Sequence, residues 1–444
     1  MSLNELVLSI NQFIWGWPLI IYVVGAAVLV TVSLGFVQIR YFISSWKYVL
    51  TPEAGASDGD MTPLQAFGNA LSTSVGNGSL AGVATAIHSG GPGAALWVFV
   101  YGILGMALRF AEVYLATAYP PKNYKGALVG GPMVYLSKVP FGSILTYIYA
   151  FFMLLLGLFS GNAMQANSIR MGVVRILGID HRLIAVVLFA FIIYVMVGGA
   201  KRIVKVSDAI VPVKVGVFFV SAIFVLFYHA GAILPAIKTM FVGAFTPEAL
   251  VGGAFGYAIQ EAIRYGLVRT ANASEAGLGT AAVLFGGSGK QDPFKSGVMS
   301  MASAFISANL VSFAIALMII ASGVWGSGQT GIDLTSAAYE TVFGNLGGWI
   351  VTFLSVSFGL GVLVSYAYVC RACWVYLTGG RWMVVFTSLF CLHTLWGALE
   401  RVDVVWNSID IVNAGLLITN LFGILYLLPT IKRGVEQYRQ ASKI

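Results

Sequence analysis

The chain alternates long apolar runs with short polar punctuation. Apolar stretches of 17 or more residues recur at roughly 13–39, 64–88, 92–119, 143–168, 183–200, 209–229, 248–285, 296–324, 347–376, 382–398 and 405–429. A helix of that length crosses the hydrocarbon core of a bilayer, so the pattern predicts an all-α polytopic membrane protein with eleven transmembrane helices. Two of the runs, the second and the seventh, are interrupted by glycine and small polar residues. One interruption reads Ser72-Thr73-Ser74-Val75-Gly76-Asn77-Gly78-Ser79; the other extends from Tyr265-Gly266 to Gly277-Leu278-Gly279. A helix broken in hydrocarbon leaves N–H and C=O groups unpaired at several kcal/mol each, so it persists only where protein, ligand or ions satisfy them. Breaks at matching positions of two halves point to a transporter's midplane site.

The spacing of the breaks organises the chain. Residues 1–63 form an extra N-terminal span and a linker holding Pro52, Glu53, Asp58 and Asp60, residues 64–229 a first repeat (spans 2–6), and residues 230–431 a second repeat (spans 7–11). Five spans per repeat force the halves into opposite orientations, a 5+5 inverted repeat. Residues 432–444 form a basic tail, expected as a cytosolic helix near the anionic leaflet.

Composition agrees with this reading. With 58% hydrophobic and 9% charged residues the chain has too little polar surface to face water throughout. The net charge of +8 raises the question of a nucleic-acid partner, but the placement of Lys and Arg answers it: sixteen of the 25 fall in segments that share a side with the C-terminus, and five (Arg170, Arg175, Arg182, Lys238 and Arg401) fall on the other. The positive-inside rule puts the N-terminus outside and the C-terminus in the cytoplasm of a protein integral to the cell inner membrane, with the lipid bilayer as its surroundings and no nucleic acid. Residues 1–12 contain no Lys or Arg, which argues against a cleavable signal. Cys370 and Cys373 have CxxC spacing without a second pair or a nearby His, so they and Cys391 are expected to be buried thiols, not metal ligands. No GxxxxGK[ST] loop occurs, so electrochemical gradients and not ATP would supply the drive. No His-rich metal cluster or paired nucleophile and base suggests an enzyme, and no cofactor is expected beyond a coupling ion. Oligomeric state is left open.

The first break suits a zwitterion. Amides around Val75, Gly76, Asn77 and Gly78 present partial positive charge to a carboxylate, while carbonyls freed around Ser72 to Gly76 can ligate an ammonium or a cation. Ser74 and Ser79 flank this segment as further candidate substrate contacts. Small-residue packing between helices is the competing explanation.

Four glycine-rich motifs in order carry a resemblance: Ala81-Gly82-Val83-Ala84, Gly90-Gly91-Pro92-Gly93, Gly130-Gly131-Pro132 and Ser274-Glu275-Ala276-Gly277-Leu278-Gly279. The chain resembles the alanine/glycine:cation symporter family (sodium/alanine symporters, amino acid carriers), which has the leucine-transporter (LeuT-type) fold. The resemblance implies uptake of a small neutral amino acid coupled to a cation, commonly Na+. It also implies that Gln165 binds substrate, although an interhelical polar role competes, and that Tyr265 bounds the side-chain pocket. Arg109 and Glu112, a basic residue followed by an acidic one, are either an inner-gate pair or an ordinary i,i+3 structural pair.

Departures from the family pattern are as informative. Gly361 and Val362 stand where the family has a Ser-Thr pair, so the hydroxyl ligands of one sodium site are missing. Lys214 stands where related sequences are apolar. Its ammonium could occupy the same carbonyl cage and exchange protons; alternatively it snorkels to the cytosol. Glu261, Arg264 and Arg269 add charge before and within the second interruption, either as internal pairs or as an altered site. Ser307 replaces a family acidic residue. The expectation is therefore a secondary active transporter of small neutral amino acids such as alanine or glycine, working by alternating access between spans 2, 4, 7 and 9. Coupling would be by H+ through Lys214 in place of Na+. The alternatives are a standard Na+-coupled alanine/glycine symporter and a membrane amino-acid sensor that binds without flux.

Overall fold

The computed structural model describes residues 11, 13–51, 59–124, 127–245, 255–399 and 402–441. Helices α1 (Trp17–Ser33) and α2 (Phe42–Leu50) precede the first broken unit, α3 (Pro63–Ser74) and α4 (Val83–Gly90), which meet through a π-turn at Gly78–Gly82. Then come α5 (Gly93–Ala118), a small antiparallel hairpin of β1 (Lys122–Tyr124) and β2 (Ala127–Val129), and α6 (Gly142–Leu158) with α7 (Met164–Leu177), one run carrying a π-bulge at Phe159–Ala163. Helices α8 (His181–Val197), α9 (Gly199–Tyr228) and α10 (Ile233–Phe245) lead to the second broken unit, α11 (Phe255–Ser274) and α12 (Thr280–Gly286). The remainder is α13 (Pro293–Ala304) joined by a π-segment, Phe305–Ser312, to α14 (Phe313–Ala321), followed by α15 (Gly331–Phe343), α16 (Asn345–Thr378), α17 (Met383–Leu399) and α18 (Val402–Ala441).

Local chemistry sets several boundaries. Thr62 and Gln65 form a capping box that starts α3, with Pro63 at its first position. Asp180 and Asp292 cap α8 and α13. Glycines in the left-handed region, Gly178 and Gly379, end α7 and α16.

Among the described residues, six helical runs are long and apolar enough to cross a membrane: Gly93–Ala118, Gly142–Leu177, Gly199–Tyr228, Pro293–Ala321, Asn345–Thr378 and Ile409–Ala441. Shorter apolar helices join them at Trp17–Ser33, His181–Val197, Ala230–Phe245 and Met383–Leu399. The chain is therefore an integral, polytopic membrane protein. Helix α9 illustrates the lipid boundary: Val213, Val220, Ile223, Phe224 and Phe227 are exposed on one face, whereas Ser207, Lys214, Phe218, Ser221 and Val225 are buried on the other.

The architecture departs from the apolar pattern in four places. Helix α11 runs unbroken through Tyr265, Gly266 and Arg269, and the second break lies later, at Glu275–Gly279. A glycine there serves packing: a Cβ at Gly266 would meet Trp97. Helix α9 begins ten residues before its apolar run, because its first turns carry Lys201, Arg202, Lys205 and Asp208 at a hydrated end. Helices α10 and α15 are additional. Finally, the basic tail is docked onto the protein as the end of α18. Arg439 donates to the Leu34 carbonyl (2.8 Å), and the Tyr438 ring stacks on Phe294 at 3.7 Å. Pro52, Glu53, Asp58, Lys125, Arg401 and Lys443 lie outside the described residues.

Candidate functional site

Helix α3 ends at Ser74, with Val75 as its cap, and its last carbonyls have no partner further along their own helix. They are met by Lys214 of α9. The Lys214 Nζ donates to the Val75 carbonyl at 2.8 Å and the Ser72 carbonyl at 2.9 Å, with the Ser72 hydroxyl at 3.4 Å and the Phe358 ring centroid at 5.8 Å. The side chain is fully buried and points away from both lipid and solvent, so it does not snorkel. Gly361 of α16 makes the room: a Cβ there would lie 2.8 Å from Lys214 Nζ and 3.0 Å from Ser72 Oγ. Val362, its neighbour, packs on Gly76 so closely that a Cβ at Gly76 would overlap it.

The far side of the break is held by Gln165 of α7. Its Oε1 accepts from the Asn77 backbone N–H and from Asn77 Nδ2, both at 3.2 Å, while its Nε2 donates to the Ser160 carbonyl in the π-bulge at 2.9 Å. Gln165 thus meets the break directly, with its amide engaged by protein. The Ser74 hydroxyl is donated back to the Ala70 carbonyl (2.8 Å) within its own helix, and Ser79 receives a hydrogen bond from Ser312 at 3.0 Å. Gly78 is buried but can take a methyl group: a Cβ there would meet Ala273 Cα and the Asn272 Nδ2 and carbonyl at an ordinary contact distance, all at 3.8 Å. Asn272 Oδ1 accepts from Ser160 (3.0 Å), but its Nδ2 has no hydrogen-bond partner among the described residues, and neither has Asn77 Oδ1 or Ser355 Oγ. A buried donor and a buried acceptor beside one glycine-lined break can receive a carboxylate and an ammonium.

The second break is closed differently. Arg109 and Glu112 of α5, fully buried and 3.4 Å apart, clamp it. Glu112 Oε2 accepts from the Gly277 and Gly279 N–H groups at 3.2 and 3.1 Å and from Asn420 Nδ2 at 3.4 Å, and Arg109 donates to the Ser274 carbonyl. Asn420 also donates to the Gly277 carbonyl (2.8 Å). Gly277 and Gly279 adopt φ of 90° and 86°, which the turn requires and which side chains resist. Glu275, buried in the same turn, accepts from Tyr366 (2.5 Å) and Thr280 (2.7 Å).

The remaining charges lie elsewhere. Glu261 and Arg264 pair at 3.1 Å along α11, and Arg269 makes two bonds to Asp410 of α18, at 3.1 and 3.3 Å. These are internal pairs removed from the break. Tyr265 is two helical turns from Asn272 and lies against Gly90 at the far end of α4, away from Gly78. Ser307 is buried and bonds to the Ala304 carbonyl. Sequence reasoning missed Asn272, Glu275, Tyr366, Asp410 and Asn420 as partners. For Asp410, the one signal was an acidic residue inside an apolar run.

Comparison with known proteins places this architecture. The chain is 32% identical over 452 residues to the sodium/alanine symporter AgcS of Methanococcus maripaludis, covering 100% of this chain and 99% of that one. It is 29% identical over 447 residues to a protein of Haemophilus influenzae described as an uncharacterized transporter (100% and 98% covered), and 29% identical over 444 residues to the amino-acid carrier protein AlsT of Bacillus subtilis (99% and 93%). The sodium:alanine symporter family matches residues 1–444 throughout. With two broken helices facing one another in a polytopic membrane protein and full-length agreement with these transporters, the chain belongs to the sodium:alanine symporter family.

Proposed function

We propose that the chain is a secondary active transporter of small neutral amino acids, alanine or glycine, working by alternating access, and that a proton on Lys214 does the work the family assigns to Na+. The observation that carries this reading is the Lys214 ammonium at 2.8 and 2.9 Å from the Val75 and Ser72 carbonyls, in space left by Gly361. A sodium ion bound there would need about five or six oxygens. The amine occupies the two carbonyls instead, and neither Gly361 nor Val362 offers a hydroxyl. Loss of its proton would leave a neutral amine with two N–H donors, weaken the charge-assisted bonds to the two carbonyls and loosen the end of α3 from α9 and α16, which ties the charge state to the shape of the break.

Substrate would sit between Gly78 and Asn272, where the first break faces α11. Its carboxylate would face the break amides and Asn272 Nδ2, and its ammonium would face Asn77 Oδ1, with Gln165 exchanging one of its present bonds. The short distance from Gly78 to the α11 backbone favours a small side chain. We read the helices as eleven spans, an N-terminal one and a 5+5 inverted repeat (64–229 and 230–431) of LeuT type, in the cell inner membrane with the N-terminus outside and the C-terminus cytoplasmic. Cysteine labelling of the two termini tests this; finding both on one side overturns the count and the repeat together.

A second reading, ordinary Na+ coupling, is favoured by family membership. Proteoliposomes carrying labelled alanine or glycine under separate Na+ and H+ gradients decide between them. Uptake driven by an inward H+ gradient without Na+ supports the Lys214 reading. Strict Na+ dependence with no response to a pH gradient returns the protein to the sodium mode, and saturable binding without flux makes it a sensor.

A further inference from the structure

A polar seam runs from Lys214 to a surface cavity along three helices. Helix α3 contributes Gln65, Asn69 and Ser72, spaced by four and three residues on one face; α9 contributes Ser207 and Lys214, seven apart; α16 contributes Gly361 and Ser365, four apart. From the surface inward, Gln65 Nε2 donates to Asp208 Oδ2 at 3.0 Å, and Asn69 Nδ2 donates to the Gln65 carbonyl at 2.8 Å. The Ser365 hydroxyl donates to Asn69 Oδ1 at 3.3 Å and shares a hydrogen bond of 2.7 Å with the Ser207 hydroxyl. One turn of α16, about 6 Å by helix geometry, separates this serine pair from Gly361, against which the amine lies. Asn69, Ser72, Ser207, Lys214 and Ser365 are all fully buried. Each of these groups is hydrogen-bonded along the row, which lets a continuous polar seam persist inside the core.

The outer end of the row opens. Asp208, partly exposed, borders a cavity of about 390 Å³ with Asp60, Gln65, Lys201, Val204 and Lys205, at the end of the molecule that carries the basic segments. Asp60 is itself held by the Tyr368 hydroxyl at 3.1 Å. Between Asp208 and Lys214 lies Pro212, inside α9. Proline has no N–H to give the carbonyl four residues back, which is that of Asp208, so the helix is weakest between the two groups.

We propose that Asp208 is the acceptor through which Lys214 releases its proton to the cytosol, with Ser207 and Ser365 as the hydroxyl relay. In this step the Lys214 ammonium loses one proton and becomes a neutral amine, a serine hydroxyl passes a proton on as it receives one, and the Asp208 carboxylate becomes a carboxylic acid that discharges to water in the cavity. Between the serine pair and Asp208 lie the amides of Asn69 and Gln65, which cannot relay a proton as a hydroxyl does, so water entering from the cavity carries the proton across that gap when α9 loosens at Pro212. The titratable and charged groups along the path are Glu275 in the second break and Asp60, Lys201 and Lys205 around the cavity. The inference rests on the coupling reading given above.

The test compares net uptake with exchange in proteoliposomes, because alanine exchange requires no proton release. For Asp208→Asn we expect H+-driven net uptake to fall at least about a hundredfold, the low end of what a positioned proton-transfer group contributes. Alanine counterflow should stay within about twofold of wild type under the same principle, and Asp208→Glu should restore uptake. Ser207→Ala should lower net uptake in the same selective way. Equal loss of uptake and exchange in Asp208→Asn would mark a structural role and overturn the proposal, as would undiminished net uptake in Asp208→Asn while Lys214→Met abolishes the pH response. If wild-type uptake follows Na+ and ignores pH, the coupling reading itself has failed, and this inference fails with it.

Discussion

The two broken helices solve one problem with different chemistry. At the second break, freed amides and a freed carbonyl are satisfied by Glu112 and Arg109, which neutralise each other from one helix three residues apart, with Asn420 closing the turn. At the first break, carbonyls are satisfied by one ammonium from another helix, with no carboxylate bonded to it among the described residues. A self-neutral clamp has one stable arrangement, whereas a lone ammonium between carbonyls has two, protonated and not. The difference separates a fixed hub from a switch.

The comparison is broken most severely at the hub. Arg109→Gln leaves Glu112 buried without its partner, a loss of about 3–5 kcal/mol; we expect a large fall in folded yield and in the thermal midpoint measured by fluorescence-detected size exclusion. Wild-type stability in that variant would remove the clamp from the fold. At the switch, Lys214→Met leaves two carbonyls unsatisfied at about 1–3 kcal/mol each, yet the protein should still insert. Its H+-driven uptake, measured in vesicles at several pH values, should be lost or become independent of pH. Adding Gly361→Ser and Val362→Thr to Lys214→Met rebuilds an oxygen cage and should bring back uptake that requires Na+, whereas Gly361→Ser alone should crowd the amine and impair transport.

Smaller effects sharpen the map of the substrate space. Gly78→Ala adds a Cβ with only ordinary contacts at 3.8 Å, so the fold should be kept while alanine affinity falls about tenfold, or 1.4 kcal/mol. Asn272→Ala should weaken binding by a similar factor through loss of its free Nδ2. Tyr265→Phe, two turns away, should change affinity by less than about twofold by the same conversion; a large effect in binding calorimetry would extend the site outward along α11.

Much of this was legible in the chain. The apolar runs located the membrane helices, since hydrocarbon tolerates little else over that length, and the glycine and small polar residues around Gly76 to Ser79 marked a real break. Lys214 and Gly361 stood out as a gained amine and a lost side chain. The second break was read as extending too far back, because a glycine in a membrane helix signals close packing as readily as interruption, and Gly266 packs on Trp97. Arg269 offered a charge but not a partner.

By itself the sequence determined that long apolar runs make this a polytopic membrane protein, that two of them are interrupted, and that an unmatched lysine stands in another. Transfer energies and backbone hydrogen bonding are local properties of a segment, so they can be read in order along the chain. Only the tertiary structure decided what meets the freed groups: Lys214 lies 142 residues from Ser72, Asn420 lies 143 from Gly277, and Asp410 lies 141 from Arg269. Such pairs are chosen by which helix faces pack together, and no local pattern encodes that choice.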